Sequence, residues 1–507
     1  MPKPKLVEQR NDFRGGLNTS SPEDLLQPNE LLSAIDTALS DTEGALSKRQ
    51  GSKRLTAATA TGSADRIDGC YVWNGPSGNQ MVAIADGDLW FYNMATEYGE
   101  SWTQENPGTA LQTGGQITFA QMRSTGASGA LLLYIADGTN VYSWDGVTTL
   151  TLLTGTTSML GYQFLAPFNT RMFYGGASTY QNHIFWSQIG NAADLDIDGA
   201  DDGGSAIVNI SRGDQLTAVA VGRSSLWMAT QDTIARFTGY SDEDIQIGQD
   251  TDGISSTIGI VGPLASAAAE GVVFFLSDNG PYVGNDQGIQ PIGLKIDDIF
   301  AALPADKLSD ASVAFNKSSK SIWVAVDPDG SGVDYVYVYS LRLGAWMGPY
   351  KYPFIITQLA EYEDANGLEG VCAACTDGYV RKLDVPGVYQ DDQTSAGASG
   401  QNYNPNPKLA PFFFESGPGV QKMLWRGAVQ GKINAGSGFG VSPFVDNTAG
   451  TVQALTGVSP FGYHSYRVDF ANDQGERILL QFSLGTQNAA AKISGIVVYA
   501  YDLGRTI

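Results

Sequence analysis

Cysteine and histidine are scarce in this 507-residue chain, which has only Cys70, Cys372, Cys375, His183 and His464. Three cysteines cannot make a disulfide framework, a chain this long needs none, and a reducing site of folding is expected. Two histidines leave few places for the commonest general base and metal ligand. Charge is also sparse, at 16% of residues, and lopsided: 30 Lys and Arg stand against 53 Asp and Glu, a formal charge of −23. A surface of that sign repels nucleic acid and anionic lipid, so ordinary DNA binding is disfavoured. Long apolar runs are missing. LLLYIA at 131–136 and VVFFL at 272–276 are strand length, and the basic start MPKPKLVEQRNDFRGG has no apolar stretch behind it. Neither a signal peptide nor a membrane span is expected. Walker, Rossmann and G-x-S-x-G motifs are all absent, which removes the motif-based routes to nucleotide or serine-hydrolase chemistry.

Glycine is abundant, with 61 residues, and the apolar fraction of 42% with 10% aromatics supports a full core. Together they predict a mostly β, turn-rich fold. From about residue 66 the chain settles into short Val, Ile, Tyr, Phe and Trp runs separated by Asp-Gly or Gly-Ser turns, the signature of antiparallel hairpins. QMVAIADGDLWFYN is echoed by ALLLYIADGTNVYSWDG, placing Asp86 and Asp137 51 residues apart, a propeller-blade period. Weaker copies follow in SSLWMATQDTIARFTG, GVVFFLSDNGPYVGND, KSIWVAVDPDGSGVDYVYVYS and GVCAACTDGYVRKLD. The expected architecture is a β-propeller of about six or seven units over residues 61–387. An N-terminal arm spans 1–60, a polar linker 388–408, and a β-rich, sandwich-like platform domain 409–507. Two short helices are expected: one at ELLSAIDTALS, capped by Asn29 with Leu31, Leu32, Ile35 and Leu39 on one face. The other falls at about 296–312, with Ile296, Ile299, Phe300 and Leu303 on one face before Pro304.

Few residues form a constellation with chemistry. Asp194, Asp196, Asp198 and Gly199 match the first half of a calcium loop, but position twelve is Ser205 where a bidentate Glu should stand. This leaves a weak Ca²⁺ candidate and favours a solvated acidic loop; no metal or other cofactor is expected. Cys372 and Cys375 form C-x-x-C on a strand, where they point to opposite faces as core residues rather than a redox pair. Trp90, Trp144, Trp186, Trp227, Trp323 and Trp346 sit in strand runs, where blade packing outweighs carbohydrate stacking. SDNGPYV at 277–283 is a faint match to the Asp box of sialidase-like propellers, and no carboxylate pair stands out for glycoside hydrolysis.

The N-terminal segment DFRGGLNTSSPEDLLQPNELLSAIDTALSDTEGALSKRQGSKR is more specific than any of these. Its parts Phe13-Arg14-Gly15-Gly16-Leu17, Pro22, Leu25, Pro28, Thr42-Glu43-Gly44 and Lys48-Arg49 resemble the opening of tail nozzle proteins, also called tail tubular or tail hub proteins, of short-tailed bacteriophages. The segment SAIVNISRGDQLTAVAVGRSSLWMATQDTIARFTG and the end KISGIVVYAYDL look like the family more loosely. The resemblance implies a structural virion protein without catalysis: a homohexameric ring below the portal and its adaptor, with one propeller per subunit. The ring's central channel passes DNA during genome ejection without holding it. The implied partners are the adaptor, a tail fibre or tailspike and a channel plug. The implied location is the virion, after assembly in the host cytoplasm. Phe13, Arg14, Gly15, Gly16, Leu17, Glu43, Lys48 and Arg49 are then the expected adaptor contacts, on an arm separable from the propeller. A wall of negative charge suits a DNA conduit, since repulsion acts within about 10 Å at moderate salt. The arm's cations, including Lys53 and Arg54, suit docking between otherwise acidic rings. The alternative is a propeller that binds or hydrolyses glycans.

Overall fold

A computed structural model gives the structure of the chain. It describes all residues except 1–5, 41–43, 77, 95–100, 106–110, 125–128, 148–149, 154–160, 196–201, 209–214, 241–243, 249–252, 365, 395–399, 415–419, 434–437, 456–462, 472, 486–488 and 505–507. The expected hairpins form and close into a β-propeller. Six four-stranded sheets stand alone, and a seventh four-strand unit continues into a larger sheet. Blades 1 to 7 cover residues 67–105, 118–152, 164–207, 218–248, 266–291, 312–351 and 356–385. Their first strands touch in sequence around a ring, and Ile356–Glu363 of blade 7 meets Ile67–Gly75 of blade 1 to close it.

Local chemistry explains the blades. In blade 1 the strands Gly78–Ala85 and Asp88–Asn93 are joined by Asp86 at φ 53 and Gly87 at φ 77, the two left-handed residues that a tight hairpin turn of matching twist requires. In blade 2, Asp137 instead accepts hydrogen bonds from the Thr139 and Asn140 amides at 2.8 and 2.6 Å. The copies singled out in the sequence are the second and third strands of blades 4 to 7. Blade 3 lacks such a copy because a longer turn, residues 176–182, separates its Arg171–Gly175 and His183–Trp186 strands. Between blades 5 and 6 the expected short helix forms as two, Asp297–Ala301 and Ala305–Ser309, with Ile296 and Phe300 fully buried.

The platform is a sandwich woven from both ends of the chain. One layer sets Gln421–Ile433 between Tyr463–Asp469 and Ala491–Gly504, and the last of these pairs along its other edge with Leu6–Arg10 and Leu46–Lys48. The other layer runs from the outer strand of blade 6, Ala345–Lys351, through Glu30–Ile35, Asn406–Leu409 and Ile478–Ser483 to Phe439–Val445. Between the layers lie Leu31, Leu409, Phe412, Leu424, Val429, Val441, Leu480, Ile493 and Val498.

Three expectations are corrected here. The ELLSAIDTALS segment is not a helix but the strands Glu30–Ile35 and Thr37–Leu39, joined at Asp36 with φ 51. Its apolar spacing fits either structure, and pairing on both edges, to Gly348 of blade 6 and to residues 406–409, decides for the strand. Residues 388–408 are not a plain linker, because Asp391 and Asp392 are anchored by buried arginines and Asn406–Leu409 is a sandwich strand. The arm is not separable: Gly51–Arg54 is the outer strand of blade 7.

Candidate functional site

The nozzle-like signature sits where arm, propeller and sandwich meet. Phe13 and Leu17 are buried in the sandwich core. Gly15 lies so close to the chain that a Cβ there would come within 2.7 Å of the Asn29 carbonyl oxygen. Gly16 has φ 69, and a Cβ would stand 2.7 Å from the Trp346 carbonyl oxygen of blade 6. The pair of glycines is thus explained by backbone approach and a left-handed turn. Leu17 pairs with Leu31 in a short parallel ladder. Beyond it the Thr19 and Ser20 hydroxyls donate to Asp298 at 2.6 and 2.8 Å, tying the arm to the helix between blades 5 and 6. Arg14 stays at the surface, its side chain 47% exposed and 3.4 Å from Asp12, as do Pro22, Leu25 and Pro28 of the signature. Glu43 lies outside the described residues.

Lys48 and Arg49, expected at a docking surface, are interior. Lys48 Nζ donates to the carbonyl oxygens of Tyr403 and Gly485, each at 3.2 Å. Burial, with Arg49 adjacent, pulls its ammonium down to about 8. Arg49 is fully buried at the junction of all three regions. Its Nε donates to Asp36 at 2.7 Å, its two Nη groups to Asp391 at 2.9 and 2.6 Å, and Nη2 also to the Lys351 carbonyl at 2.9 Å. The guanidinium stacks 3.9 Å from the Tyr403 ring and 4.4 Å from Tyr352. Burial opposes its charge, but Asp391, Tyr352 and Asp36 outweigh that and hold the guanidinium firmly protonated. Such a knot is costly to break because each partner left behind would be a buried, uncompensated charge. A second knot closes blade 7: Arg54 forks onto Asp392 at 2.7 Å on both oxygens, while Arg381 bridges Asp392 at 2.9 Å and Asp377 at 2.7 and 2.6 Å. Burial opposes ionisation of Asp392, but hydrogen bonds from Arg54 and Arg381 hold its carboxyl below the usual range.

The propeller axis holds a cavity of about 720 Å³ lined from every blade. Tyr71 and Phe119 stack on its wall with centroids 5.6 Å apart, and Lys317 pairs with Glu361 at 3.4 Å. Burial raises the Glu361 carboxyl, with Lys317 opposing. Of the calcium-loop residues, Asp194 is described while Asp196 and Asp198 lie outside the described residues; among the described residues no cluster of three metal-ligating side chains occurs. Cys372 and Cys375 enter different core clusters, as strand alternation requires, and Cys372 faces Cys70 of blade 1 across 3.9 Å. Trp144, Trp227, Trp323 and Trp346 are at most 1% exposed, Trp186 is buried and Trp90 half-buried. They pack blades and offer no stacking surface.

Sequence reasoning missed the platform as an assembly of chain ends and missed Asp36, Asp391 and Asp392 as partners of arginines. The one available signal was the unusual density of Arg and Lys at 48–54 against Asp-Asp at 391–392. Charge divides with the architecture. The propeller with its connecting segment, residues 55–408, holds 15 Lys and Arg against 39 Asp and Glu, or −24; residues 1–54 with 409–507 hold 15 against 14, or +1.

No protein-family model and no curated protein matches the chain. Solved structures that resemble it do so at low identity. A virginiamycin B lyase from Staphylococcus aureus is 11% identical, covers 64% of this chain and 97% of its own, and has a TM-score of 0.42. The Pan2 WD40 domain of Neurospora crassa is 11% identical, covers 66% and 96%, and has a TM-score of 0.39. These likenesses concern the propeller fold alone.

Proposed function

We propose that the chain is the structural subunit of a short bacteriophage tail, six copies forming a nozzle beneath the portal and adaptor through which the genome leaves. The observation that carries this reading is the fate of the N-terminal signature. Phe13, Gly15, Gly16, Leu17, Lys48 and Arg49 are the residues that weld the arm to blade 6, the sandwich and the 388–408 segment. These six signature residues thus have structural reasons to be there, while Pro22, Leu25 and Pro28 are exposed and Thr42 and Glu43 lie outside the described residues. Adaptor docking passes to the exposed part of the arm, with Arg14 and the 68%-exposed Leu25 as its contacts. The propeller's −24 suits a wall that repels DNA and lets it slide. The account needs no catalysis, no cofactor and no membrane. The glycan-binding alternative shares the propeller, but five of its six stacking candidates are buried in the blades and Trp90 is half-buried.

Native mass spectrometry of the protein, alone and with the adaptor ring from the same genome, tests this. Six copies, free or on the adaptor, are expected. A monomer indifferent to the adaptor would overturn the nozzle reading.

A further inference from the structure

The platform turns one face of its longer-stranded layer outward. Leu424, Val429, Val498 and Ala500 point to the core and are fully buried, so alternation sends the neighbouring side chains out. Register sets Val7, Tyr499, Arg426 and Asp469 in one row across four strands, and Gln9, Val497, Ala428 and Arg467 in the next. Further along, Lys492 pairs with Lys432, and Lys432 with Tyr463. Trp425 stands beside Tyr501, ring centroids 5.9 Å apart, with the Arg426 guanidinium 4.4 Å from the Trp425 ring. Val7 is 50% exposed, Tyr463 48%, and the Arg467 side chain 60%.

Large aromatic and aliphatic side chains combined with arginine and few acids compose the centre of protein interfaces rather than ordinary solvated surface. In these rows four cations meet one carboxylate, Asp469, which bridges Arg426 at 3.0 Å and Arg467 at 2.8 Å. The 14-residue strand Ala491–Gly504 is about 45 Å long, and four strands are about 19 Å wide. That is comparable with the roughly 800 Å² each partner gives to a standard interface. Two such faces would not pair with each other, because cations would meet cations. The same chain carries an acidic surface that complements this face: the propeller, which with its connecting segment has a formal charge of −24. We infer that the Arg426, Arg467, Lys432 and Trp425 face of the platform binds the acidic propeller of a second copy, head to tail. A heterologous contact of this kind generates a closed ring when its rotation closes. Closure at six copies rests on the nozzle reading; the contact itself rests on the division of charge.

The test compares wild type with the triple variant Arg426→Glu, Arg467→Glu, Lys432→Glu, using sedimentation across a salt series and native mass spectrometry with and without the adaptor ring. Arg123→Glu on blade 2 is the control, and thermal unfolding checks that each variant folds. Wild-type self-association is expected to weaken with salt, and the triple variant to associate at least tenfold more weakly with an unchanged melting temperature, the control matching wild type. Equal association of the triple variant, salt-insensitive association, or a wild type that never self-associates would overturn the inference. So would a variant that forms rings but no longer binds the adaptor, since the face would then belong to the adaptor. Self-association that this variant abolishes, in a wild type that ignores the adaptor, would leave the face assigned and the nozzle reading refuted.

Discussion

Propeller and platform are built by opposite strategies. Each of blades 1 to 6 is a run of consecutive hairpins whose partners lie within a few dozen residues, whereas the platform pairs Val7 with Tyr499 and Arg10 with Ile496. The propeller with its connecting segment, residues 55–408, carries −24, and the two ends of the chain, residues 1–54 with 409–507, carry +1. One body is local, repetitive and repelling; the other is long-range, near neutral and stitched by buried ions. The two meet where a blade cannot complete itself: blade 7 takes its outer strand from Gly51–Arg54, and the outer strand of blade 6 continues into the sandwich. A chain arranged this way cannot fold its platform until both ends are present, and cannot complete blade 7 without the arm.

The comparison breaks most sharply on deletion of residues 1–54. If the arm were a separable peptide, the propeller would stay folded. The structure instead predicts loss of cooperative unfolding in urea, because the deletion removes blade 7's outer strand, the sandwich strands Leu6–Arg10, Glu30–Ile35, Thr37–Leu39 and Leu46–Lys48, and two of the three knot arginines, Arg49 and Arg54. A smaller but specific effect is expected from Arg49→Met. It strands Asp36 and Asp391 and should lower unfolding free energy by about 3–5 kcal/mol, most of it recovered when Asp36→Asn and Asp391→Asn are added. A melting curve for Arg49→Met that matches wild type would show that the knot does not couple the regions.

The smallest effect has a pH signature. Burial, with Arg49 opposing, pushes the Asp384 carboxyl up to about 6. The folded chain therefore holds this proton longer than the unfolded chain does, so stability falls as pH rises from about 4 to about 6. Asp384→Asn removes that cost and keeps a residue tolerant of the φ of 54. It should stabilise by about 1–2 kcal/mol at pH 7, less than the full linkage value because the side chain keeps some solvent, and by nothing below about pH 3.5. Equal stabilisation at both pH values would point to packing instead.

What was legible in the sequence follows the same division. Blades show in local pattern: the Asp86 and Asp137 turns, the aromatic strands and the Phe300 helix need no distant partner to be recognised. The C-terminal strands were visible as strands. The arm was misread at Glu30–Ile35 because helical and strand spacing coincide over six residues and the deciding partners are at 348 and 406–409. Lys48 and Arg49 looked like surface charge because their acceptors, the Tyr403 carbonyl and Asp391, lie more than 300 residues away. Polarity of the 388–408 segment suggested a linker when its aspartates were the other half of buried ion pairs. Local signals reveal units that fold locally, whereas buried polar pairs of long range show only as charge density, here Lys and Arg at 48–54 and Asp-Asp at 391–392.

In the proposed assembly the near-neutral platform of one copy meets the acidic propeller of the next. Electron microscopy of the particles formed on mixing the protein with its adaptor ring tests this most directly. The account predicts a six-fold ring with platforms against the adaptor and each platform's outer sheet against the neighbouring propeller. Particles without rotational symmetry, or rings joined by propeller-to-propeller contacts with the platforms facing solvent, would contradict it.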